Sequence, residues 1–222
     1  MIPMIGRHLP ALAVAAGMVL VAASPSGAQR ITAGAQYALG HYAEQGSSLR
    51  FAGGGPAGHA SVHWRRFGLH VAAARFSFEP TERRDVVESF DATQLDVRLR
   101  VRATRLVSVE AGFVDRDVTP LHAAQSATSV RVGALIALPL HLGSELAARA
   151  SYLGGSRFSG GGAAPFGVEV GMGITYAPWS ERVRLTGDLE FQRLDRRTDS
   201  PDGELSAPIQ STVARFGVMV VY

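Results

Sequence analysis

Gln94-Leu95-Asp96-Val97-Arg98-Leu99-Arg100-Val101-Arg102 alternates without a break between polar and aliphatic side chains. On a strand this puts four aliphatics on one face and five polar groups on the other. On a helix the same four would be spread around the whole circumference, so the stretch predicts a β-strand. The pattern returns in Val107 to Phe113, Ser129 to Leu138, Glu145 to Tyr152, Phe166 to Tyr176, Val183 to Gln192 and Ala214 to Tyr222. Turn-rich segments separate these runs.

The first third is less regular. Ile31 to His41 and His59 to Trp64 alternate, but Gly68 to Phe78 carries two competing parities. A two-residue turn at Arg65-Arg66 sends Leu69, Val71, Ala73 and Arg75 to the apolar face. A bulge near that turn would instead send Ala72, Ala74, Phe76 and Phe78 there. The whole chain then reads as ten strands, over 30–42, 58–64, 67–78, 92–103, 105–115, 127–138, 142–153, 166–177, 181–193 and 209–222. Long polar or Gly-rich connections at 45–57, 79–91, 116–126, 154–165 and 194–208 alternate with tight turns at 65–66, 104, 139–141 and 178–180. Alternating loop lengths predict an up-and-down antiparallel barrel. Eight strands is the alternative, with Ile31 to Phe78 pairing differently.

Composition narrows the setting. The chain has 222 residues, 22 basic against 19 acidic, a net charge of +3 and no cysteine. A disulfide scaffold and a thiolate metal site are therefore excluded, and so slight a positive excess argues against a nucleic-acid partner. Residues 1–28 read as a cleavable secretory leader. Arg7 precedes an apolar run from Leu9 to Ala23, and Ser26 and Ala28 stand at the small-residue positions of a cleavage site after Ala28. Residues 29–222 are then the barrel domain.

An apolar face on every strand suits either a soluble barrel, pointing inward, or a membrane barrel, pointing outward. The leader, the strand length, the alternating loops and aromatics near strand ends favour the membrane. Those aromatics are Tyr37, Trp64, Phe67, Phe76, Phe78, Phe113, Tyr152, Phe158, Phe166, Tyr176, Trp179, Phe191 and Tyr222, read as interfacial girdles. Finally, Phe216-Gly217-Val218-Met219-Val220-Val221-Tyr222 resembles the terminal assembly signal of bacterial outer-membrane β-barrel proteins, the porin-like and OmpA-like barrels. Gly217, Val220 and Tyr222 carry the match, and Phe216 stands where a polar residue is usual. The resemblance implies residence in the outer membrane, contact with its lipid and lipopolysaccharide, and recognition by the barrel-insertion machinery.

With apolar faces toward lipid, the interior receives Asp96, Arg98, Arg100, Arg102, Glu110, Arg131, Glu145, Arg149, Glu169, Arg184, Asp188, Glu190 and Arg215. A ten-stranded barrel is roughly 20 Å across, so large side chains from opposite walls nearly meet and balanced charges there should pair. The expectation is a largely closed, charge-filled lumen with a structural or surface-binding role. A narrow channel for anionic solutes, drawn by Arg98, Arg100 and Arg102, is the alternative. A hydrolase at the rim is a third reading, with His41, His59, Asp91, Asp115, Asp117, His122 and Asp195 as candidates. His59 and His63 share a face, which more often completes an interior hydrogen-bond network than a metal site. No Walker loop, G-x-S-x-G or H-E-x-x-H occurs, so neither cofactor nor metal is expected. Gly53-Gly54-Gly55 and Gly160-Gly161-Gly162 read as flexible surface loops. Arg50, Arg83, Arg84, Arg157, Arg196 and Arg197 read as loop cations.

Overall fold

Alternation in every long run yields ten barrel strands that hydrogen-bond in chain order. They are β1 (Gln29–Glu44), β2 (Arg50–Trp64), β3 (Phe67–Pro80), β4 (Phe90–Arg102), β5 (Val107–Thr119), β6 (Ala127–Pro139), β7 (Glu145–Phe158), β9 (Gly167–Tyr176), β10 (Val183–Leu194) and β13 (Ile209–Val221). A two-residue β8 (Ala163–Ala164) and a hairpin of β11 (Arg197–Ser200) and β12 (Gly203–Ser206) extend the sheet beyond β7 at the long-loop end. The computed structural model describes residues 29–45, 49–81, 88–119, 122–180, 182–200 and 203–222. Arg7, Ser26 and Ala28 of the expected leader, and Arg83 and Arg84, lie outside them.

All barrel pairings are antiparallel, and β1 pairs with β13 from Thr32↔Val221 to Glu44↔Ile209. The sheet therefore closes on itself as a ten-stranded barrel, and the eight-strand alternative does not hold. At the seam the Tyr222 amide donates to the Ile31 carbonyl (2.9 Å), and the Ile31 amide donates to the Tyr222 carbonyl (3.2 Å). Closure leaves no unpaired edge, which a sheet surrounded by lipid requires.

Several boundaries differ from the sequence reading, each for a local reason. β2 begins at Arg50, so Gly53, Gly54 and Gly55 belong to a strand and not to a loop. Gly53 and Gly55 lie where an added Cβ would run into the backbone of β3, so the missing side chains let the strands approach. Pro56 follows them, and the β2–β3 ladder passes from Gly54↔Ser77 to Ala57↔Ala74 without it. The ladder on its other side, to β1, continues through Tyr37↔Pro56. Gly160, Gly161 and Gly162 do lie in a connection, with Gly161 and Gly162 at positive φ. Arg50, Arg157 and Arg197 stand on strands.

The parity of β3 is also settled. Its register with β4 is continuous from Phe67↔Val101 to Phe78↔Phe90, so the turn at Arg65-Arg66 needs no bulge. Leu69 and Arg75 face outward, while Ala74, Phe76 and Phe78 are buried inside. Phe76, Phe78 and Phe158 are thus interior residues and not girdle residues.

The exterior is apolar. Leu99, Val130, Val132, Val170, Met172 and Val218 are all about half exposed. Trp64, Phe67, Tyr176, Trp179 and Tyr222 ring the turn end, and Tyr37, Phe113, Tyr152 and Phe166 stand farther up the wall. A soluble barrel would bury this surface. A transmembrane barrel presents it to lipid, with aromatics at both interfaces.

Candidate functional site: a closed interior

Charged residues arrive at the middle of the lumen because each sits at an inward position of its strand. Arg98 Nε donates to Asp96 Oδ1 (2.8 Å), and a second, short bond joins Arg98 Nη2 to Asp96 Oδ2. Arg131 Nη1 reaches Asp96 Oδ2 (2.7 Å), and its Nη2 makes a short contact with Glu169. Arg149 Nε lies 3.2 Å from Glu169 Oε1, and its Nη2 lies 3.2 Å from Glu190 Oε2. Glu190 returns to Arg98 at 3.7 Å. Asp96, Arg131, Glu169, Arg149, Glu190 and Arg98 thus form a closed ring of alternating charge spanning β4, β6, β7, β9 and β10.

Arg215 on β13 joins the ring to Asp188, lying 2.8 Å from Asp188 Oδ1 and 3.2 Å from Glu190 Oε2. Below the ring, toward the turns, Arg100 pairs with Glu110 at 2.7 Å. Arg131 and Glu110 have no exposed surface. The opposite wall explains how so many long side chains fit. On β1 to β3 the inward positions carry Gly34, Ala38, Gly40, Ala57, Ala72 and Ala74, with His59 stacked on His70 at 5.8 Å. Gly171 makes room within the ring itself, since a Cβ there would lie 3.1 Å from Arg149 Nη2.

Of the thirteen interior positions named from sequence, eight belong to the ring and its Arg215–Asp188 arm. Arg100 and Glu110 form a separate pair. Arg102 is exposed at the end of β4, while Glu145 and Arg184 are half-buried near the turn end and stand apart from the ring. Gly217, Val220 and Tyr222 lie on the closing strand. Gly217 is opposite Gln36, where a side chain would meet the β1 backbone.

Above the ring the lumen is apolar, which the sequence reading missed. Tyr42, Phe51, Phe78 and Phe90 form an aromatic cluster, with Phe51 and Phe90 edge-on at 4.8 Å and Phe78 and Phe90 at 5.0 Å. His122 covers it, 5.0 Å from Phe90. Val114, Val118, Leu153, Leu194, Ile209 and Val213 complete this core. Gly40 is fitted to it, because a Cβ there would stand 3.0 Å from the Phe78 ring and 3.2 Å from Phe76. Replacing Gly40 by Val is accordingly expected to cost about 1–3 kcal/mol through overpacking, read as a lower urea midpoint of the folded barrel in detergent.

Between ring and aromatics lies Arg116, which the sequence reading assigns to the 116–126 connection but which the longer β5 carries into the barrel. Its Nη2 donates to Gln94 Oε1 (3.0 Å), Ser211 Oγ (3.2 Å) and Gln192 Oε1 (3.4 Å). Even numbering along β5, shared with Glu110 and Val114, was the signal that would have placed it inside.

The residues considered for rim catalysis do not converge. His41, Asp91, Asp115 and Asp117 occupy outward strand positions. Asp91 binds Arg75 (2.9 Å) and Ser77 (2.8 Å), and Asp115 takes a short bond from Thr128. Asp195 is held by Arg193 at 2.9 Å, and His122 stands over the aromatic cluster. His59 is not a rim residue, because the longer β2 carries it into the barrel, and His63 lies 3.3 Å from Ser61 Oγ. Among the described residues no group of three potential metal ligands occurs.

No family model matches the sequence, and no curated protein matches it. Solved structures do. The outer-membrane protease OmpT of Escherichia coli superposes with a TM-score of 0.53 at 7% identity, covering 88% of this chain and 97% of that one. The chain has the outer-membrane β-barrel fold. Other outer-membrane barrels align less closely. The attachment invasion locus protein Ail of Yersinia pestis gives a TM-score of 0.41 at 10% identity over 88% of this chain and 99% of that one. The translocator domain of the autotransporter NalP of Neisseria meningitidis gives 0.40 at 13% identity over 94% and 92%. A fold does not fix a task, so the contents of the lumen carry the argument about role.

Proposed function

We propose that this protein is a closed, non-enzymatic outer-membrane barrel that reinforces the envelope and presents its outer loops to surface ligands. The observation that carries this reading is the double seal in the lumen, a charge ring that joins strands around the barrel beneath an aromatic layer. Every acid in the ring faces two or more guanidinium groups, so the charges satisfy one another instead of lining a water path. The channel reading needs free cations, yet Arg98 and Arg100 are both engaged by carboxylates. The outward-facing His41, Asp91, Asp115 and Asp117 do not converge with the interior His59 and His122, and this scatter supports a non-enzymatic role, since a general base must point at a shared substrate.

Outward arginines at the long-loop end suit the anionic head groups of lipopolysaccharide. Arg157 and Arg197 stand in one row, each paired across Ala163. The strand that meets β1 ends in the aromatic motif expected to engage the insertion machinery. The test is single-channel recording in planar bilayers. Refolded wild-type protein, shown folded by heat-modifiable gel mobility, is expected to insert silently. Regular conductance steps from folded protein would overturn the closed reading.

A further inference from the structure

We infer that the lumen holds a binding site for a small carboxylate anion between the charge ring and the aromatic layer, centred on Arg116. A cavity of about 20 Å³ opens there, bordered by Arg116, Tyr42 and Gln192 on its polar side and by Phe158, Leu194 and Ile209 on its apolar side. That is room for one water molecule or one small anionic head.

Three observations specify the occupant. Arg116 donates only to neutral oxygens, and no carboxylate comes within ion-pair distance of it among the described residues. Every acid of the ring is already committed to other arginines, so Arg116 is a part-buried cation without a carboxylate partner in the lumen. Tyr42 and Gln192 are each only 4% exposed, yet the Tyr42 hydroxyl and the Gln192 Nε2 have no hydrogen-bond partner. A guanidinium, a phenol O–H and an amide N–H at one cavity outnumber the single unpaired acceptor among the described residues there, Gln125 Oε1. Buried donors without acceptors are costly, and an acceptor-only group with negative charge satisfies the Tyr42 and Gln192 donors while supplying the countercharge that Arg116 lacks.

The donors select among anions. A halide offers one acceptor atom, whereas the two oxygens of a carboxylate can meet two of these donors at once, and a cavity of this size takes the carboxylate head without a longer alkyl chain. Gln125 and the Arg196 guanidinium, which stacks over Phe158 at 4.7 Å, lie toward the long-loop end. The site is therefore approached from the outer side, and the ring closes it from below.

The experiment is isothermal titration calorimetry of the refolded barrel in detergent with acetate, butyrate and chloride. Saturable one-site binding of acetate is expected, with butyrate, whose chain exceeds the cavity, and chloride both weaker. Arg116→Gln is expected to weaken it at least tenfold, and Tyr42→Phe about threefold to tenfold. Heat-modifiable mobility of both variants reports that they remain folded. Tyr42→Phe keeps the ring in the aromatic layer, so it tests the donor even if Arg116→Gln fails to fold. Absence of saturable binding to wild type would mean that water alone fills the cavity, and would overturn the site. Chloride binding as tightly as acetate would overturn the carboxylate assignment, and undiminished binding in both variants would overturn the location.

Discussion

Replacing Glu190 by Gln is expected to destabilise the folded barrel by about 3–5 kcal/mol, the largest effect of any conservative substitution in the lumen. Glu190 is 2% exposed and lies within 4 Å of three guanidinium groups, those of Arg98, Arg149 and Arg215. Gln keeps the shape but not the charge. Asp96, Glu169 and Asp188 would then face Arg98, Arg131, Arg149 and Arg215, leaving an uncompensated cation in a space that excludes bulk water. The variant Glu190→Gln/Arg149→Gln removes one charge of each sign and should recover part of the loss, so a double-mutant cycle isolates the coupling. Arg102→Gln, at an exposed strand end, should change stability by less than about 0.5 kcal/mol. Urea midpoints in detergent measure all of these. A Glu190→Gln barrel within about 1 kcal/mol of wild type would mean that water or ions enter the ring freely, and the closed lumen would fail with it.

The ring makes mechanical sense only with the asymmetry of the wall. Long charged side chains project from β4, β6, β7, β9, β10 and β13, while β1 to β3 offer Gly, Ala and His at the facing positions. A lumen with large residues all round would be overpacked, and one with small residues all round would be a pore. A buried ion pair is in general weak evidence for added stability, because desolvation offsets most of its Coulombic gain. What the ring supplies more clearly is register. Sliding any contributing strand by one residue would turn its charge into lipid and an aliphatic side chain into the ring.

That same rule explains what the sequence disclosed and what it hid. Gln94 to Arg102 could be assigned because each side chain belongs plainly to one environment. From there parity carries Glu110, Arg131, Arg149, Glu169 and Glu190 inside, where the last four join in the ring and Glu110 pairs with Arg100. Parity says nothing of who pairs with whom, since partners come from strands far apart in the chain. It also weakens wherever small residues stand on either face, which is why Gly53 to Pro56 read as loop and why shortening β2 sent His59 to the rim. Phe76 and Phe78 misled for the opposite reason. Above the lipid belt the code inverts, and apolar side chains turn inward while Arg75 and Ser77 face water. An aromatic near a strand end can therefore be girdle or core, and only the register of β3 against β4 decides.

Arginine placed on the outer face should then be penalised by depth. Val170 lies six residues above Tyr176 on β9, while Ile174 lies two above it. Leu99 is likewise two residues beyond Val101, the partner of the turn-end aromatic Phe67. At ~3.3 Å per residue and a tilt of ~40°, six residues climb ~15 Å and two climb ~5 Å. A lipid belt ~25 Å tall puts Val170 near its middle and the other two near its lower interface. Val170→Arg is expected to cost about 2–4 kcal/mol and Ile174→Arg and Leu99→Arg about half that or less, because a long side chain near the interface carries its charge to the head groups. Refolding yield into lipid bilayers, scored by heat-modifiable mobility, gives the order. All three residues are about half exposed, so packing inside the barrel is untouched and the lipid alone sets the penalty. If all three variants refold like wild type, the apolar face does not meet lipid. If Ile174→Arg is the worst, the belt sits lower on the wall than the aromatic row at Trp64, Phe67 and Tyr176 implies.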